Sequence, residues 1–113
     1  METTLFREFS FEAGRYLPGL PEDHPCSRMH GHTFVVRIYV TGHVDRESGW
    51  LMDFNELARH IEAVRAKLDH RVLNDIAGLE NPTTELLTAW IWQHLVEHVP
   101  GLSKVRVREN PFT

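Results

Sequence analysis

The sequence predicts an α+β fold, an antiparallel four-stranded sheet with two helices on one face. Three observations predict it. Alternating or β-branched stretches occur at Thr4–Ala13, His32–Gly42 and Lys104–Glu109. Two stretches between the second and the last of these repeat apolar residues at helical spacing. Strand-like and helix-like segments are therefore segregated rather than alternating, which argues against a parallel α/β sheet.

Each element has its own signal. In "TLFREFSFEA", Leu5, Phe9, Phe11 and Ala13 share one parity with Arg7, as a strand with one buried face requires. "GRYLPGLPEDHP" holds the glycines and prolines of a loop. "HTFVVRIYVTG" is dense in β-branched and aromatic residues and predicts the second strand. A turn at Glu47–Gly49 predicts an antiparallel return over Trp50–Met52. Asp53 is a good N-cap with Glu56 placed to answer it, and Phe54, Leu57, Ile61, Val64 and Leu68 form one stripe. A longer connection follows. The second helix is expected to start near Pro82–Thr84, capped by Thr83 or Asn81, to bury Leu87, Trp90, Ile91 and Leu95, and to end at Pro100–Gly101. In "KVRVRE", Val105 and Val107 take one face and Lys104, Arg106 and Arg108 the other.

The chain has 113 residues, which predicts one domain over residues 1–113. A formal net charge of −4 argues against general nucleic-acid binding. The N-terminus lacks the apolar core of a signal peptide, and no stretch reaches membrane-spanning length. One cysteine excludes an internal disulfide and suits a reducing compartment, so the expected location is cytoplasmic. Eight histidines are many for this length.

The histidines concentrate attention on "CSRMHGH", Cys26 to His32. Residues two apart on a strand point the same way, so His30 and His32 present two imidazoles side by side, a start for a Zn²⁺ site. A bare His-x-His fits two ordinary polar residues at a strand start equally well. Cys26 and the intervening Gly31 favour a site. "LDHRVLND" adds Asp69 beside His70, a pair able to orient an imidazole for proton transfer. By itself such a pair is also ordinary at a helix C-terminus.

Taken in order, Cys-x-x-x-His-Gly-His, "GWLMDFNEL", "LDHRVLND", "ENPTTE" and a glutamate after the last strand resemble the 6-pyruvoyl-tetrahydropterin synthase family. "FSFEA", "LDHRVLNDI" and "GLENPTTE" are most similar to its queuosine-pathway branch, which makes 6-carboxytetrahydropterin. The resemblance runs from about Leu5 to Glu109. It implies a tunnelling fold, in which sheets of several subunits join into an oligomeric barrel with helices outside. It implies homohexamers built from two trimers, with active sites between subunits. The implied substrate is the pterin 7,8-dihydroneopterin triphosphate, and the implied lyase reaction releases acetaldehyde and triphosphate. Cys26 would be the general base, Asp69 and His70 the proton relay, Glu109 the pterin anchor, and His30 and His32 two of three zinc ligands.

The third ligand departs from the family pattern, which reads Phe-x-Ala-Ala-His where this chain reads "FEAGR". The ligand position falls on Arg15, which stays protonated and offers no lone pair. Three alternatives stand at this point. His24, Asp23 or Cys26 replaces the missing ligand; or the site is metal-free and Arg15 grips the substrate's oxygens; or the chain binds pterins without turning them over. A related outcome is 6-pyruvoyl-tetrahydropterin synthase activity.

Overall fold

The computed structural model describes residues 1–113. Two long strands frame it: β1 (Glu2–Arg15) and β2 (His30–His43) pair antiparallel along their whole length, with Glu2 opposite His43 and Arg15 opposite His30. The alternation in β2 explains its orientation. Phe34, Val36, Ile38 and Val40 are buried on one face, while Val35, Arg37 and Tyr39 stay partly exposed on the other. β2 continues into a turn and then α1 (Phe54–Leu68), followed by the two-residue β3 (Arg71–Val72), α2 (Thr84–Leu95) and β4 (Leu102–Arg108). The sheet order is β3-β1-β2-β4.

The sheet is mixed, which corrects the all-antiparallel expectation: β3 runs parallel to β1, pairing Arg71–Val72 with Ala13–Gly14. Trp50–Met52 forms no strand. Both edges of β2 are already taken by β1 and β4, so a return strand has no ladder to join. Instead Asp45 closes the turn, its side chain accepting from the Glu47 and Ser48 N–H groups.

Both helices cover one face of the sheet. Asp53 caps α1 as expected, accepting from the Asn55 N–H at 2.8 Å. Leu57, Ile61, Val64 and Leu68 are buried, but Phe54 is 45% exposed and does not belong to the stripe. Thr83 caps α2 through the Leu86 N–H, and Pro82 lies just before the cap rather than in the first turn. α2 ends at Leu95, not at Pro100. A proline disfavours helical backbone at the residue before it, and the chain tightens into turns from Val96 onward. Leu87, Trp90, Ile91 and Leu95 complete the core against Phe11, Ala13, Phe34, Val36, Ile38 and Val40. The opposite sheet face has no covering layer and carries Glu8, Arg37, Lys104, Arg106 and Arg108, with Arg37 paired to Glu8 at 2.6 Å.

Candidate active site

Parity along the strands sends Arg15, His30 and His32 to the helix-covered face, at the end of the sheet where α2 begins. The His30 and His32 rings lie 4.9 Å apart, centroid to centroid. His30 Nδ1 is 2.8 Å from the Arg28 carbonyl oxygen, so in the neutral ring Nδ1 carries the proton and Nε2 the lone pair. Glu109, immediately after β4, continues the parity of Val105 and Val107 and arrives at the same place.

Arg15 is 5% exposed and pinned on three sides. Its Nη1 donates to the Pro82 carbonyl and to Thr84 Oγ1, each at 3.1 Å, and its Nη2 forms an ion pair with Glu109 Oε2. The guanidinium carbon lies 5.2 Å from the centre of the Phe34 ring. Arg15 Nε is buried with no partner, a cost of about 1–3 kcal/mol for an unpaired donor. Thr84 Oγ1 also donates to Glu109 Oε2, at 2.8 Å. Burial pushes the Glu109 carboxyl up, but hydrogen bonds from Thr84 and Arg15 and the Arg15 charge outweigh it and hold the group below the ordinary carboxylate range. Burial, reinforced by the Arg15 charge, lowers the His32 pKa despite the opposing pull of Glu109. His32 is therefore a neutral imidazole near pH 7.

A resident zinc does not fit these donors. No group of three His, Cys, Asp or Glu side chains is placed to hold a metal ion. His24, a candidate replacement, instead accepts the Cys26 N–H through Nδ1 at 3.1 Å, and neither Asp23 nor Cys26 joins the two imidazoles. Arg15 stands opposite His30 with a positive charge and no lone pair.

A second group lies after α1. Asp69 is the C-cap residue; its Oδ1 accepts from the Glu12 N–H at 2.9 Å, and its Oδ2 lies 2.9 Å from His70 Nδ1 and 3.3 Å from Arg65 Nη2. The Glu12 N–H and the His70 hydrogen bond hold the Asp69 carboxyl below its ordinary value against the effect of burial. His70 sits in the left-handed region, φ 56°, tied by its own N–H to the Glu12 carbonyl, and its side chain is 78% exposed. With Nδ1 on Asp69, the free ring nitrogen faces outward for proton exchange.

The two groups share a border. A cleft of about 470 Å³ is lined by Ala13, Gly14, Gly31, His32, His70 and Arg71, among others. A second, of about 440 Å³, is lined by Gly31, His32, Arg108, Glu109 and Asn110. His32 thus lines both. Cys26 lines neither. It is half-buried in a short 3₁₀ turn, Pro25–Ser27, and its thiol bonds to none of His30, His32 or His70. Sequence reasoning missed Thr84 and the Pro82 carbonyl as partners of Arg15, although both fall inside "ENPTTE". It also missed Asn74, which grips the Tyr16 N–H and C=O and fixes the chain beside Arg15.

Comparison with known proteins places the chain in a family. The chain is 45% identical to a 6-carboxy-5,6,7,8-tetrahydropterin synthase of Synechocystis sp., over 94% of this chain and 85% of that one. It is 35% identical to a protein of the same name from Bacillus subtilis, over 95% and 79% of the two chains. The solved structure of Caenorhabditis elegans 6-pyruvoyl tetrahydropterin synthase superposes with a TM-score of 0.90 at 26% identity, covering 98% of this chain and 91% of that one. The sequence profile of the 6-pyruvoyl tetrahydropterin synthase family matches residues 4–113, and the chain belongs to that family.

Proposed function

We propose that this chain is a 6-carboxy-5,6,7,8-tetrahydropterin synthase of queuosine biosynthesis, converting 7,8-dihydroneopterin triphosphate and water to 6-carboxytetrahydropterin, acetaldehyde and triphosphate. The observation that carries the reading is His32, which lines the cleft of the ionised Glu109 carboxylate and also the cleft lined by His70, the residue that Asp69 holds. Relatives bearing that name at 45% and 35% identity support it.

Glu109 accepts the N–H groups of the pterin's aminopyrimidinone edge, which lays the side chain of the substrate toward His70. The side-chain carbon that becomes the carboxylate is oxidised while the ring is reduced, so electrons stay within the substrate and no external redox cofactor is required. What the protein must supply is proton movement. Cys26 is the base, and His70, oriented by Asp69, relays protons through its exposed ring nitrogen. Arg15 contributes a fixed positive charge beside the anionic substrate. Cys26 and His70 do not meet within one chain, so the site is completed between copies of a cytoplasmic homohexamer, a dimer of trimers. No helix is long and apolar enough to cross a membrane.

The test is incubation of the purified chain with 7,8-dihydroneopterin triphosphate, following acetaldehyde and triphosphate release. Stoichiometric release of both is expected, and Cys26→Ala is expected to abolish it while keeping the oligomer. Triphosphate without acetaldehyde would mark 6-pyruvoyl-tetrahydropterin synthase activity. Binding without turnover would leave a pterin-binding protein, the reading that Arg15 favours.

A further inference from the structure

The donor set at His30 and His32 disagrees with a metal enzyme. Two imidazoles stand side by side, and the position opposite His30 in the ladder is held by Arg15. Catalytic zinc sites take three protein ligands and one open position, and in this chain no third His, Cys, Asp or Glu is in reach. Arg15 is also not free to swing aside. It is buried, and Pro82, Thr84 and Glu109 hold its terminal nitrogens. A dication bound by the two imidazoles would have to tolerate that guanidinium as a neighbour.

We infer that Arg15, rather than a metal ion, is the resident cation of this site, and that the chain keeps no zinc of its own. The residue does more than exclude a metal. It donates to the same Glu109 oxygen as Thr84, so it fixes a carboxylate charged and oriented at the cleft wall. A guanidinium acts on a ligand's oxygens through hydrogen bonds and charge rather than by coordination, and it needs no supply of metal. Any action of Arg15 on a pterin rests on the synthase reading; the donor count does not.

The deciding measurement is zinc per chain, by mass spectrometry, in the wild-type protein grown with excess zinc and dialysed against a weak chelator. Wild type is expected far below one zinc per chain, with turnover of 7,8-dihydroneopterin triphosphate unchanged by the chelator. Arg15→His is expected to hold about one zinc per chain, since it completes a three-nitrogen set. Arg15→Gln, which removes the charge but adds no strong ligand, is expected to hold none. Wild type holding one zinc per chain would overturn the inference and point to a third ligand elsewhere, including another copy of the chain. A folded Arg15→His, checked by circular dichroism, that gains no zinc would overturn it too. Should that variant not fold, the wild-type content alone decides. A zinc-free wild type that turns over no pterin would end the synthase reading while leaving the assignment of Arg15 in place.

Discussion

Both hydrogen bonds that the protein makes to the Glu109 carboxylate, from Arg15 and from Thr84, go to Oε2. Oε1 takes neither, and in the proposed function it is an acceptor for the pterin. Glu109→Ala is therefore expected to weaken pterin binding more than any other single substitution, by about 1–3 kcal/mol, because the ligand's donors lose their partner. Equal affinities by calorimetry in mutant and parent would remove Glu109 as the anchor. Protonation carries a second residue-scale expectation. Asp69, Glu109 and His32 all have pKa values lowered on folding. The unfolded chain binds protons more readily at each, so stability is full above the unfolded values and declines as pH falls through them toward the folded ones. For His32 the decline starts in the ordinary histidine range and ends below it, and for the two carboxylates it starts in the ordinary carboxylate range and ends below that. Asp69→Asn should flatten the carboxylate part of that acid limb in urea titrations and lower turnover by misorienting His70. An acid limb identical to the parent's would show that the Asp69 contacts to Glu12 and His70 add nothing to the folded state.

At the scale of elements, the turn from α2 into β4 depends on Gly101. Its φ is 81°, and a Cβ there would lie 2.7 Å from the Thr41 carbonyl oxygen, which is backbone and cannot yield cheaply. Gly101→Ala is expected to cost roughly 1–3 kcal/mol, combining left-handed backbone with a steric clash, and a chemical-denaturation curve measures it. The same elements show what the sequence could reveal. β1, β2 and the buried faces of both helices were legible because each repeats its signal, period two or period three to four, and the helix starts were legible from their caps, Asp53 and Thr83. β3 was not, since two residues carry no period; its pairing depends on Asp69 and His70 reaching Glu12 across the fold. Arg15 fell in a stretch read as loop; β1 runs on through it, and that extension gives Arg15 the face of Phe11 and Ala13. Its partners Pro82 and Thr84 lie 67 and 69 residues away, and no local pattern encodes a contact of that range. Trp50–Met52 misled because a tight turn usually returns a strand, and only the sheet order reveals that no edge is left for one.

The whole molecule is long and thin, 59 × 25 × 18 Å, and its two longest strands, β1 and β2, have 14 residues each. β3 covers only the Ala13–Gly14 end of β1, so the rest of that edge is open, as is the outer edge of β4. Open edges of this length invite pairing with further strands. One sheet face also has no covering layer. Sedimentation is accordingly expected to give a multiple of the 13.1 kDa chain mass, with six copies in the proposed assembly. A stable monomer at working concentration would contradict both the assembly and a site shared between copies.

His70 draws on the stability of that whole molecule. The left-handed backbone region favours glycine, yet just after the extended α1 cap residue this chain holds an imidazole there at φ 56°. A non-glycine residue in that region costs about 1–2 kcal/mol, a visible share of the roughly 5–15 kcal/mol by which a domain stays folded. Under the proposed function, in which His70 relays protons, that cost falls on a side chain the chemistry uses. His70→Gly should melt at a higher temperature than the parent, since the exposed contact to Asp69 returns little, and should turn over no substrate. A variant that lost stability along with turnover would show instead that the imidazole is part of the scaffold.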